Sequence, residues 1–138
     1  MVVALGLLAG VLLSVAGLFV VGERQVARGR NQSTALVAAQ TILEEISSWN
    51  HNATFERFDS QGNVTQLVAA TTDTNPASIA SKWHPFLQEA LSNGRAEIRI
   101  ESCDGQRLDV TPALRVVVTV LWDEKTQTRR TELAAVRL

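Results

Sequence analysis

Hydrophobic and polar positions divide this chain into three stretches of different period. Residues 1–22 carry no charge, and Ser14 is their one polar side chain. A helix rises about 1.5 Å per residue, so this run spans ~33 Å, against ~30 Å for the hydrocarbon core of a bilayer. A cleaved signal peptide would start with basic residues, hold a shorter apolar core and end at a small-residue cleavage site. Here no Lys or Arg precedes the run, and the residues after it read as more helix. The pattern therefore predicts a membrane-spanning helix over residues 1–22. Gly6, Gly10, Ser14 and Gly17 recur at spacings of four, four and three, a small-residue face that lets apolar helices approach closely. They are the candidate helix-packing residues.

Residues 23–50 contain no proline, and the period becomes amphipathic. Leu36, Ala39, Leu43 and Ile46 form an apolar stripe that Ile42 and Trp49 extend, while Gln32, Gln40, Glu44 and Glu45 fall largely elsewhere. This predicts one helix of about 50 residues, apolar all round in its first half and amphipathic in its second. The four stripe residues are the candidate helix-on-sheet face.

Residues 51–138 read as a soluble α+β head. Ser60-Gln61-Gly62-Asn63 is a turn between apolar residues, and residues 71–76 form a polar loop. Pro76 and Pro85 can each open a short helix, and Gly94 supplies a stop. From about residue 95 the period becomes two. Ala96, Ile98 and Ile100 alternate with Arg95, Glu97, Arg99 and Glu101, and residues 114–122 form the most apolar strand. Residues 128–138 return antiparallel after a turn at 123–127. Three meandering strands with one wet face need a cover on the other, and the amphipathic helix is the natural one. The predicted fold is thus α+β, a long N-terminal helix packed on a small antiparallel sheet over about 95–138.

Composition narrows the function classes. The chain has 138 residues and a net charge of −1. Setting aside Glu23, Arg24, Arg28 and Arg30 leaves 10 of 13 basic and 13 of 14 acidic residues, so the head holds no basic surplus for nucleic acid. Cys103 is the only cysteine, which excludes an intrachain disulfide, and its expected role is a small core or strand filler. His51 and His84 lack the short spacing of a zinc motif. No nucleophile elbow, phosphate loop or His-Glu-x-x-His run occurs. Glu44-Glu45 reads as a solvated face, and Trp49, Trp83 and Trp122 as core or contact aromatics. The expectation is a chain that is not an enzyme, with no catalytic, metal-binding or cofactor-binding residues.

The segment Met1-Val2-Val3-Ala4-Leu5-Gly6-Leu7-Leu8-Ala9 resembles the start of a type IV pilin helix. Residues 35–46 (Ala-Leu-Val-Ala-Ala-Gln-Thr-Ile-Leu-Glu-Glu-Ile) are similar to the amphipathic stretch of minor pilins of the PilV type and minor pseudopilins of the GspI type. Residues 116–122 with the hairpin into 131–138 are similar to their C-terminal sheet. The likeness covers roughly the first 50 and the last 30 residues. The superfamily's signature, a short basic leader ending in glycine before Phe-Thr-Leu-Ile-Glu, would lie ahead of Met1, and an upstream start or a trimmed chain is the expectation. No residue here takes over the cleavage, methylation or glutamate role of that signature.

The resemblance implies a minor pilin-like structural subunit held in the bacterial inner membrane by a single pass. Its C-terminal domain would face the periplasm, and the subunit would be assembled into, or prime, a type IV pilus. Implied partners are other pilin or pseudopilin subunits, membrane lipid and an inner-membrane assembly platform, with no direct nucleic-acid contact. The positive-inside rule applied to Arg24, Arg28 and Arg30 alone would instead leave the head in the cytoplasm. A basic leader upstream would reconcile the two. The alternatives are a minor pseudopilin of a type II secretion system and a single-pass anchored ligand-binding or sensor domain.

Overall fold

A computed structural model of the chain describes residues 2–138; Met1, at the head of the apolar run, lies outside them. The elements in order are helix α1 (Val2–Ser47), helix α2 (Ala53–Glu56), strand β1 (Gln66–Ala70), a 3₁₀ helix (Ile79–Trp83), helix α3 (His84–Ala90), and strands β2 (Arg95–Ser102), β3 (Leu114–Glu124) and β4 (Gln127–Arg137). The chain divides into two compact units, one ending at Ser33 and one running Thr34–Leu138.

The second unit is the head. Its sheet has the order β1-β2-β3-β4, antiparallel throughout. Strand β3 is central and the most apolar, as its unbroken Val-rich run dictates. One face of the sheet presents Ala96, Ile98 and Ile100 from β2 and Leu114, Val116, Val118, Val120 and Trp122 from β3, all buried. The α1 residues Ala35, Ala38, Ala39, Ile42, Leu43 and Ile46 join them in one core, so the long N-terminal helix packs on a four-stranded antiparallel sheet. This is the architecture that pilin-like proteins share.

Several short elements follow local chemistry. Pro85 sits in the first turn of α3, where its missing N–H costs no helix bond. After α3, Gly94 tolerates no side chain, because a Cβ there would drive into the Leu87 carbonyl. Ser78, not Pro76, sets the start of the 3₁₀ helix, its hydroxyl accepting from the Ala80 N–H at 3.3 Å. A two-residue turn joins β3 to β4, with Lys125 at φ 56°.

Four further sequence expectations about these elements need correcting. The sheet has a fourth strand, β1, at 66–70, where only apolar residues flanking a turn were foreseen. α1 ends at Ser47, three residues before the expected boundary. Cys103 is exposed in the turn after β2 and fills no core. Glu45 is not simply a solvated residue. It accepts from the Trp83 indole N–H at 2.8 Å and pairs with Lys82.

Candidate functional site

Two faces of α1 are the candidate site, one in each unit. In the first unit the apolar side chains of residues 2–21 stand in the open. Leu12 is 61% exposed and Phe19 69%. α1 is the one helix among the described residues long and apolar enough to cross a membrane, and none of its most apolar window is buried. Each exposed Leu, Val or Phe side chain would cost roughly 1.5–3 kcal/mol to keep in water rather than in an apolar surround. Such a surface is that of a membrane-spanning or signal-like segment.

The small residues of this segment line up. At 100° per residue, Gly6, Gly10, Ser14 and Gly17 fall within an arc of about 80°. A Cβ built on Gly6, Gly10 or Gly17 meets nothing within 4 Å, so nothing in the chain itself fills this face. The Ser14 hydroxyl donates to the Gly10 carbonyl at 2.9 Å, which satisfies it without water and suits it to an apolar medium. The segment ends in Glu23, Arg24, Arg28 and Arg30, all exposed.

In the second unit α1 changes role. The buried stripe is Ala35, Ala38, Ala39, Ile42, Leu43 and Ile46. Ala39, Leu43 and Ile46 from the expected face lie on it. Leu36 does not: it is 45% exposed. The reason is angular. Taking 100° per residue, the stripe centres about 90° away from Leu36, and Ala35 and Ala38 occupy its other flank. All three alanines of the stripe are buried in the head core.

The far end of α1 is fixed by polar and aromatic contacts within the head. The Arg137 guanidinium donates to the Ile46 carbonyl at 3.2 Å and to the Thr54 hydroxyl at 3.3 Å. A cation there complements the negative end of the helix, whose last turn has no basic residue of its own. Trp49 stacks on Trp83 with centroids 6.3 Å apart, Phe58 closes the cluster, and Arg57 covers the Trp49 ring at 4.6 Å. Desolvation by itself would raise the Glu45 pKa. Hydrogen bonds from Lys82 and Trp83 and the charges of Lys82 and Arg57 outweigh it together and hold the group below the usual range.

Sequence reasoning missed Ala35 and Ala38 because alanine is a weak apolar marker. It missed Arg137 because a cap reaching across 91 residues has no local signal. Among the described residues no three His, Cys, Asp or Glu side chains gather as metal ligands would. Compared with known protein families, curated proteins and solved structures, the chain has no match.

Proposed function

We propose that this chain is a pilin-like structural subunit, not an enzyme. It is stored in a membrane through residues 2–21 and assembled with other subunits into a type IV filament in the manner of a minor pilin. One observation carries the reading. A single helix, α1, presents a fully exposed apolar half bearing an unfilled small-residue face, then a half that is the structural support of an antiparallel sheet. A plain anchor needs the first half only, and a small-residue face on it supports close packing against other helices.

The mechanism follows from solvent physics. An apolar helix that moves from lipid into a bundle of like helices stays out of water, so the transfer forfeits little hydrophobic stabilisation. Close approach at Gly6, Gly10, Ser14 and Gly17 supplies the packing that lipid does not favour over protein. Head-to-tail contacts that do not close give a filament. The partners on this reading are other pilin-like subunits, lipid and an inner-membrane assembly platform, and the head is periplasmic.

The test is cofractionation. The full-length native protein, expressed with a type IV filament system from its own host, is expected in sheared filament fractions. Gly10→Leu is expected to remove it from them while leaving it in the membrane. A native protein that stays wholly in the membrane fraction whenever filaments form contradicts the proposal. A neighbouring retraction ATPase gene would favour a pilus, and a secretin with exported hydrolases a pseudopilus.

A further inference from the structure

The two edges of the head sheet are unequal and complementary. Hydrogen bonds from the Thr71 N–H to the Ala96 carbonyl and from the Ser102 N–H to the Thr65 carbonyl set the phase of the β1–β2 ladder. In an antiparallel sheet each residue's N–H and C=O point to the same side, so that phase carries across to β4. Gln66 and Val68 of β1, and Thr128, Arg130, Glu132, Ala134 and Val136 of β4, therefore turn their backbone polar groups outward from the sheet.

Natural edges are blunted by prolines, bulges or charges. β4 has neither a proline nor a break in its eleven-residue register. Its charges protect only part of it, since Arg130 and Glu132 lie toward the hairpin while residues 133–136 are uncharged. β1 is uncharged throughout. Exposed valines flank both edges on the same sheet face, Val68 at one and Val136 at the other.

We propose that the occupant of the β4 edge is β1 of a second copy of this chain. Strand polarity selects it. Parallel pairing of two β4 strands would put the helices on opposite faces of the joined sheet, and antiparallel pairing requires a two-fold axis normal to the sheet, which would reverse the helix lying on it. The two copies of α1 would then run in opposite directions, which subunits inserted alike in one membrane cannot do. This step rests on the membrane-stored reading above. A translated copy keeps α1 parallel and brings β1 antiparallel to β4, the correct sense for a continuous sheet.

The register that keeps both faces apolar sets Val68 opposite Ala134 in a hydrogen-bonded pair. Gln66 then faces Val136, and Leu67 and Ala69 face Ala135 and Leu133 on the helix side. This makes about four backbone hydrogen bonds, too few for a stable soluble dimer. Confinement of α1 to a membrane or bundle supplies the effective concentration that a contact this small requires. Because the two edges differ, the contact is head-to-tail and does not close.

Disulfide trapping in membranes tests it on the full chain carrying Cys103→Ser. In the Val68→Cys/Ala134→Cys variant the α-carbons would lie ~5.5 Å apart, within disulfide range. Mild oxidation is expected to give a ladder of dimers, trimers and longer species. Each single variant should stay monomeric, and a mixture of the two should stop at dimer. Leu67→Cys/Ala135→Cys should give the same ladder on the other face. Adding Ala134→Pro to that pair should cut the ladder at least tenfold while the head stays protease-resistant. Monomer alone from both pairs overturns the inference, and so does a ladder that survives Ala134→Pro. Dimers from a single variant would show two-fold pairing and overturn it as well. Filament cofractionation of the parent protein reads the subunit proposal separately from this one.

Discussion

Residues 2–21 and 34–47 belong to one helix, and both are built largely from small and aliphatic side chains. Nevertheless, every described side chain of the first stretch is exposed, while six residues of the second are buried in the head core. Small residues show the difference most clearly. Gly6, Gly10 and Gly17 face open space, whereas Ala35, Ala38 and Ala39 are buried in the head core. Helix propensity cannot separate the two stretches, because both form helix. What differs is burial: the second stretch is covered within the chain, and the first stands open.

The same substitution placed in each half should break this comparison most sharply. Ile42→Asp puts an unpartnered carboxylate into a fully buried site, a cost of several kcal/mol that a small domain does not survive. Circular dichroism and limited proteolysis should show the head unfolded. Leu12→Asp should leave the head's protease resistance unchanged and weaken membrane retention, by about 2.5–3.5 kcal/mol for a central acidic residue. A head unfolded equally by both would erase the distinction.

The Arg137 cap ranks next. Arg137→Ala removes charge-assisted hydrogen bonds to Ile46 and Thr54 and should lower head stability by about 1–3 kcal/mol in urea denaturation. A midpoint unchanged from the parent would remove the cap from the account.

Glu45 gives the pH-dependent term. Its folded pKa is depressed, so its contribution is fully present above the ordinary glutamate range. It is lost as pH falls through the lowered folded value. Stability should therefore decline on acidification below about pH 4.5, with Trp83 fluorescence reporting the lost indole bond. Glu45→Gln should flatten that part of the profile, and an unchanged slope would contradict the assignment.

Leu36 is the smallest case. Leu36→Ala should change the urea midpoint by no more than about 0.5 kcal/mol, whereas a buried leucine truncated the same way costs about 2–5. A large loss at Leu36 would restore it to the helix-on-sheet face.

These residues also show what the sequence could carry. The apolar run was legible in full, because absence of charge over twenty residues needs no tertiary context. β2 was legible because one wet face enforces alternation, and β3 because it is the most apolar run of the last third. β1 was not. Leu67-Val68-Ala69-Ala70 is a short apolar run whose strand character comes only from pairing with β2. Leu36 misled because leucine marks an apolar face more loudly than Ala35 or Ala38, although those two alanines are the buried ones. Glu45 was placed in solvent because Lys82 and Trp83, 37 and 38 residues on, announce nothing locally.

The central claim, one helix with two different surroundings, is tested most directly by thiol accessibility in sealed membranes. In the full chain with Cys103→Ser, cysteines are introduced singly as Leu12→Cys and Val37→Cys, both solvent-open in the isolated chain at 61% exposure each. With a membrane-impermeant maleimide applied to the side that holds the head, Val37→Cys should label readily. Leu12→Cys should remain unlabelled until detergent and denaturant expose it. Equal labelling of the two in intact membranes would contradict the account.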